Sequence, residues 1–250
     1  MNLRLLGILL ISSPFIHAGE KSICANYDDR VLSNESAIGR ASSANRLIGC
    51  TATLIGKSCA ITAGHCVDAA EKISFNVPES TSAGPQESAE VDIYFRNKDF
   101  LRYKDMGEGN DWAVLKILPN KITGLYPGEV QGSYKVESTK HSKKGDLIRI
   151  TGYGADKDTP EIAFSQQSHI SQVLKAGTWF RKALLEHEVD TLGGNSGSPI
   201  IDMNSNKIIG VHTHGGCDSS IKANQGTLIS KHEIFKGVIQ QCLQWERDTL

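Results

Sequence analysis

Apolar residues fall mostly into short runs separated by turn residues, a pattern typical of β-strands. These runs are rich in isoleucine, valine, tyrosine and threonine, and glycine, proline, asparagine or aspartate usually bounds them. The clearest are VDIYF (91–95), WAVLKI (112–117), LIRITGY (147–153), IIGVH (208–212) and GTLIS (226–230). Two polar segments without periodicity, 77–90 and 96–110, predict loops.

A helical period is found near the carboxyl end. Apolar residues recur there on one helical face, at Ile234, Phe235, Val238, Ile239 and Cys242. Ser230 and Glu233 form an S-x-x-E capping signal ahead of them, which predicts a helix over 231–245. The pattern as a whole indicates an all-β protein, a sandwich or a barrel, with one carboxy-terminal helix.

The amino terminus has the pattern of a secretory signal. Arg4 precedes the apolar run LLGILLI, and the small residue Ala18 suits signal peptidase. The run is too short to span a bilayer, and no later stretch stays apolar for about 18 residues. We therefore expect a signal peptide over 1–18 and a mature chain that is secreted, either extracellular or periplasmic.

Charge and cysteine content narrow the function. The net charge is −1, from 27 basic and 28 acidic residues, and no basic block occurs, so neither nucleic acid nor a membrane is an expected partner. Six cysteines in an exported chain predict disulfides, although six allow about 15 pairings. No CxxC pair or HExxH helix points to zinc, and we expect no metal and no other cofactor.

Three local patterns carry candidate chemistry. His65 ends CTATLIGKSCAITAGHC before Cys66, Asp111 opens the strand of GNDWAVLK, and Ser196 lies within GGNSGSP. Each alone has an ordinary explanation, as a structural histidine, a turn aspartate or a glycine-rich turn. Together they give the chain order His, Asp, Ser of chymotrypsin-fold proteases. The intervals between them leave room for the strands of one barrel and then of a second.

On these motifs the chain resembles chymotrypsin-fold serine proteases, and it is most similar to the bacterial glutamyl endopeptidase branch. The further matching features are Asp28-Asp29-Arg30, Gly152-Tyr153 with Asp156-Lys157, and GVHTHGG (210–216). The resemblance implies two six-stranded antiparallel β-barrels and a carboxy-terminal α-helix. We expect one barrel in 19–135 with His65 and Asp111, and the other, with the helix, in 136–250 with Ser196 and the specificity pocket.

The resemblance also implies a serine endopeptidase that acts on proteins or peptides, expected as a monomer. Ser196 would be the nucleophile, His65 the general base, and Asp111 the group that orients His65. The backbone N–H groups of Gly194 and Ser196 would form the oxyanion hole. It further implies a disulfide between Cys50 and Cys66. It leaves open the pairing of Cys24, Cys59, Cys217 and Cys242.

Specificity rests on conflicting residues. Asp190 lies where Lys/Arg-specific relatives keep a pocket carboxylate, but Leu192 replaces their cysteine. Asn195 replaces the aspartate that captures a new amino terminus in those relatives. In glutamyl endopeptidases a histidine at the position of His212, with a Ser or Thr at that of Thr191, recognises the substrate carboxylate.

We therefore expect cleavage after Glu, with Asp second. Thr191, His212, Thr213, His214 and Asp190 are the candidate substrate-binding residues. The alternatives are cleavage after Lys or Arg through Asp190 and an inactive, protease-like binding protein. Relatives also use the mature amino terminus near the pocket, which here predicts a start near Ser22 or Ile23 after trimming.

Overall fold

The structure is a computed structural model that describes residues 22–24, 26–156 and 159–250. The expected signal peptide over 1–18 lies outside these residues. Within them the strands, in chain order, are β1 Val31–Leu32, β2 Ile38–Ser42, β3 Cys50–Leu54, β4 Cys59–Thr62, β5 Lys72–Ser74, β6 Ile93–Asp105, β7 Asp111–Ile117, β8 Leu147–Tyr153, β9 Gln166–Ala176, β10 Leu184–His187, β11 Pro199–Asp202, β12 Lys207–His214 and β13 Asn224–Leu228. The α-helices are α1, Pro127–Gln131, and α2, Glu233–Thr249.

The first barrel is a closed antiparallel sheet in the order β2-β3-β4-β7-β6-β5. The side chains that fill it include Leu54, Ile73, Phe75, Tyr94 and Leu115, all fully or almost fully buried. Closure leaves no free sheet edge, so each strand has a partner on both sides.

The second barrel is built from β8 to β13. These strands follow the order β9-β10-β13-β12-β11-β8, and pairing of β8 with β9 closes the ring. Strand β1 adds to its outside, where Val31 pairs with Ser168. The predicted fold of two six-stranded antiparallel barrels with a carboxy-terminal helix is confirmed. Residues 22–24 and 26–32, the amino-terminal segment of the described chain, nevertheless lie against the second barrel, although they precede the first in sequence.

A separate apolar cluster joins the two barrels and helix α2. Trp112 of β7 stacks on Phe235 of the helix with ring centroids 4.9 Å apart. The disulfide Cys59–Cys242 ties the same helix to β4. Because the cluster draws on strands of both barrels, it fixes their relative position.

Two local predictions were wrong. Residues 96–105 form the exposed part of strand β6 rather than a loop, because Arg96 and residues 101–105 pair with β7 and most of the side chains of 96–105 are polar and partly or fully exposed. Helix α2 begins at Glu233 and ends at Thr249, and its N-cap is His232, whose side chain accepts the N–H of Phe235. Ser230 therefore does not cap it. No helix of the described ranges is long and apolar enough to span a membrane.

Candidate active site

His65 and Asp111 come together at the open end of the first barrel. His65 lies in a 3₁₀ turn, Gly64–Ala69, directly after β4, and Asp111 begins β7, which pairs with β4. The His65 Nδ1 atom lies 2.6 Å from Asp111 Oδ2. The other oxygen of the carboxylate accepts the backbone N–H groups of Gly64 and His65. Asp111 is fully buried, so this network fixes its orientation.

The neighbouring carboxylate changes the acidity of His65. Burial alone lowers the pKa of the imidazole, but the hydrogen bond and the charge of Asp111 outweigh it and raise the pKa above 6.5. The bond to Asp111 also places the Nδ1 proton between the two residues, which leaves Nε2 as the basic atom.

The loop that carries Ser196 is held by the first barrel. Thr51 of β3 donates its backbone N–H to the carbonyl of Ser196 at 2.9 Å and its hydroxyl to the carbonyl of Gly194 at 2.9 Å. Within the loop, the Asn195 side chain accepts the N–H of Leu192 at 2.9 Å. Ser196 Oγ lies 3.4 Å from the carbonyl oxygen of Thr213 on β12.

Gly194 has a conformation that needs glycine. Its φ is +101°, and a Cβ atom there would collide with the carbonyl oxygen of Tyr153. Among the described residues, the backbone N–H groups of Gly194 and Ser196 have no hydrogen-bond acceptor. Two uncommitted donors beside a serine hydroxyl are the arrangement that stabilises an oxyanion.

A register shift in β12 separates the roles of its two histidines. His212 pairs with Gly226 and His214 with Gln225, so Thr213 is the extra residue of a β-bulge. As a result His212 points into the second barrel, while the His214 ring lies 5.8 Å from the His65 ring. Thr213 and His214 thus lie beside Ser196 and His65, and His214 Nδ1 lies 2.8 Å from the Thr213 hydroxyl oxygen. Burial lowers the pKa of His214.

His212 belongs to a buried pair of histidines. Its Nδ1 lies 3.3 Å from Nε2 of His187, and His187 Nδ1 in turn lies 3.2 Å from the backbone nitrogen of Val189. Since that N–H is a donor, His187 must carry its own proton on Nε2 and donate it to His212. His212 then holds its proton on Nε2. Burial lowers the pKa of His187 to about 3 and that of His212 well below 6.5, so both rings are neutral at pH 7.

Thr191 lies at the start of the loop that carries Ser196. It is buried, its backbone pairs with Ser22, and its Oγ1 has no hydrogen-bond partner among the described residues. Buried hydroxyls normally have a partner, so an unpartnered one is a candidate ligand contact.

Asp190 is engaged by the amino-terminal segment. One of its carboxylate oxygens accepts the N–H of Cys24 at 2.7 Å, and the other accepts that of Asp29 at 3.2 Å. The side chain is almost fully buried beside His169. This geometry does not support the prediction that Asp190 binds substrate, because both oxygens already have partners within the chain.

Two residues near the site, Asn224 and His187, were missed by sequence reasoning, whereas Ser22 was expected near the pocket as part of the mature amino terminus. Ser22 is buried and accepts the N–H of Gly216 at 2.8 Å, and Asn224 donates to the Ser22 carbonyl at 2.8 Å. His187 contributes the ring that faces His212. No local motif marks these residues, since each acquires its neighbours from distant parts of the chain.

The disulfides fix the loops around the site. Cys50–Cys66 joins β3 to the turn that bears His65, and Cys24–Cys217 joins the amino-terminal segment to the loop after β12.

Two groups of potential metal ligands occur among the described residues, and both are already engaged. In the first, Cys50 and Cys66 form a disulfide next to His65. In the second, formed by Asp29, His169 and Asp190, the Nδ1 atom of His169 accepts the backbone N–H of Asp190 at 2.8 Å.

Comparison with known proteins agrees with this geometry. The family model described as Trypsin matches residues 33–234. Glutamyl endopeptidase of Bacillus licheniformis is 28% identical over 199 residues, which cover 74% of this chain and 57% of that protein. Glutamyl endopeptidase of Staphylococcus aureus strain MW2 is 28% identical over 65% of this chain and 45% of its own length. The chain thus spans about half the length of these curated relatives.

Solved structures show the same architecture. A Glu endopeptidase in complex with MPD superposes with a TM-score of 0.67 at 21% identity, over 89% of this chain and all of that one. The protease Anisep from Arthrobacter nicotinovorans superposes with a TM-score of 0.59 at 19% identity, over 80% of this chain and 93% of that one. The family match extends over most of the chain and includes His65, Asp111 and Ser196. This chain belongs to the trypsin family of serine proteases.

Proposed function

We propose that this chain is an exported serine endopeptidase that hydrolyses peptide bonds through an acyl-enzyme on Ser196. The observation that carries the proposal is the buried Asp111 carboxylate on His65 Nδ1, beside a serine loop with two uncommitted backbone donors. A serine hydroxyl is a poor nucleophile by itself, so catalysis needs this neighbouring base and a site for the oxyanion.

The reaction follows from these positions. His65 Nε2 removes the Ser196 proton as Oγ attacks the scissile carbonyl, and Asp111 stabilises the imidazolium that forms. The N–H groups of Gly194 and Ser196 bind the tetrahedral oxyanion. His65 then protonates the leaving amine. In the second half of the reaction water attacks the acyl carbonyl while His65 accepts its proton, and His65 returns that proton to Ser196 Oγ as the acid product leaves.

For specificity we propose cleavage after Glu, with Asp second. A carboxylate that enters a buried pocket needs donors, and the neutral pair supplies one as the His212 Nε2–H group. The unpartnered hydroxyl of Thr191 supplies a second. The relatives named glutamyl endopeptidase support the same choice.

The alternative of cleavage after Lys or Arg needs a carboxylate that faces the substrate. Asp190 does not meet this need, because its two oxygens accept the N–H groups of Cys24 and Asp29. The second alternative, an inactive binding protein, is disfavoured because His65, Asp111 and Ser196 are all present and Asp111 orients His65.

Two measurements test the proposal. A fluorophosphonate probe should label the native protein and the Ser198→Ala variant but not Ser196→Ala; Ser198 is the matched control because it lies in the same loop. A peptide-library digest should give cuts mainly after Glu. No labelling of the native protein would refute the catalytic proposal, and cuts mainly after Lys and Arg would refute the specificity.

A further inference from the structure

Arg30, in the amino-terminal segment, is a buried cation. Its side chain is 2% exposed, and Nη2 lies 2.5 Å from Asp28 Oδ2 and 2.6 Å from Asp156 Oδ1. Burial opposes the charge, but the hydrogen bonds and charges of the two carboxylates outweigh it and raise the pKa of Arg30. A buried charge is costly unless it is paired, so these partners fix where the guanidinium lies.

The guanidinium lies directly behind the Ser196 loop. A Cβ atom on Gly154 would collide with Arg30 Nη1 and with the Asn195 side-chain oxygen, so both groups pack against the same side of Gly154. The next residue, Ala155, donates its N–H to the carbonyl of Gly193 at 2.7 Å. Asp156 follows at once. The ion pair of Arg30 is therefore one residue away from a backbone bond to the loop.

The same amino-terminal segment contacts the other end of the loop. Asp190 accepts the N–H groups of Cys24 and Asp29, and Thr191 pairs with Ser22. Residues 22–24 and 26–30 thus contact the start of the loop through backbone groups and its Gly193–Asn195 turn through Arg30. Gly193 immediately precedes Gly194, whose N–H is one of the proposed oxyanion donors.

We propose that Arg30 is a positioning residue that holds the Gly193–Ser196 turn in its catalytic conformation, through Asp156 and the Ala155–Gly193 hydrogen bond. The inference rests on the proposed role of Ser196. It accounts for Asn195 at the position where an aspartate would capture a liberated amino terminus, because here the ordering cation is an internal side chain. Donors in an oxyanion hole act only when they are preorganised, so loss of the cation weakens catalysis more than substrate binding.

The test compares Arg30→Met with Arg30→Lys and with the exposed control Arg46→Met, all in the mature protein. For Arg30→Met we expect kcat on a Glu peptide to fall about 10- to 100-fold, less than the roughly 100- to 1,000-fold loss of a whole oxyanion donor. KM should stay within about threefold, a range too small to account for that fall. The affinity for a peptide aldehyde ending in Glu, whose adduct occupies the oxyanion hole, should fall by the same factor as kcat. Arg30→Lys should retain part of both kcat and the aldehyde affinity, and Arg46→Met should match the native protein in both.

Circular dichroism and Tm separate this role from a general loss of structure. A folded Arg30→Met protein with a lower Tm but native kcat and aldehyde affinity would overturn the inference. If Arg30→Met does not fold, Asp156→Asn, which keeps the Arg30–Asp28 pair, carries the same expectation and the same refuting result. A native protein that no fluorophosphonate labels would instead mark the failure of the proposed function.

Discussion

The buried histidine pair gives a sharp test of the proposed Glu specificity. Replacing His187 by Leu removes the Nε2–H donor that faces His212 Nδ1 across 3.3 Å. His212 is then no longer restricted to the tautomer with its proton on Nε2. The atom proposed to donate to the substrate carboxylate becomes an acceptor in part of the population.

The expected fall in kcat/KM for Glu substrates follows from the hydrogen bond that is lost. An ordinary intramolecular hydrogen bond contributes about 0.5–1.5 kcal/mol, and a buried group left without its partner costs about 1–3 kcal/mol. A loss near 1.4 kcal/mol in the transition state corresponds to about a tenfold fall in kcat/KM for Glu substrates. His187 is neutral in the native protein, because burial lowers its pKa to about 3, so the substitution removes no charge.

The assay uses two peptides that differ by one group at the cleaved position, Glu in one and Gln in the other. We expect His187→Leu to lower the Glu to Gln ratio of kcat/KM about tenfold. His141→Leu, a substitution of an exposed histidine, should leave it unchanged. An equal fall for both peptides in His187→Leu, or no change in either, would contradict the proposed tautomer relay.

Three further predictions concern the base, the pocket and the helix. Asp111→Asn should lower kcat roughly 10⁴-fold. Asp111 raises the pKa of His65, and activity needs the neutral imidazole. The acidic limb of the pH profile of kcat/KM should therefore move to lower pH in this variant. Thr191→Val should reduce kcat/KM for Glu peptides about 10-fold or more, because the hydrogen bond to the substrate carboxylate is lost. Urea unfolding should show no loss of stability, because Thr191 Oγ1 has no hydrogen-bond partner in the free protein. Glu246→Ala should lower the free energy of unfolding by about 2–5 kcal/mol, because two buried backbone N–H groups lose their acceptor. These are the N–H groups of Ser58 and Cys59, whose nitrogens each lie 2.6 Å from Glu246 Oε1. Unchanged urea unfolding would refute this prediction.

Much of the site was accessible from the sequence because its chemistry lies in local motifs. His65 next to a cysteine, Asp111 at the start of an apolar strand and Ser196 between glycines each have a recognisable sequence context. Their order along the chain then points to one fold, and the apolar runs agree with its strands. The β-bulge at Thr213 has no comparable local signal, although it decides that His212 faces His187 and His214 faces His65.

The polar segment 96–110 shows the limit of pattern reading for strands. Its charged residues predict a loop, yet 96–105 lie in β6 because Arg96 and residues 101–105 pair with β7. Pairing with a neighbouring strand overrides composition at an exposed sheet position.

Asp190 separates what the sequence determined from what the tertiary structure decided. Its offset from Ser196 suggested a pocket charge, whereas the fold turns its carboxylate toward Cys24 and Asp29, more than 150 residues away. The sequence determined which reactive groups exist and which strands can carry them, since residue type and short-range spacing are local properties. Only the closed second barrel, with the amino-terminal segment bonded to its outside, decided which polar groups are already satisfied and which, like the hydroxyl of Thr191, have no partner among the described residues.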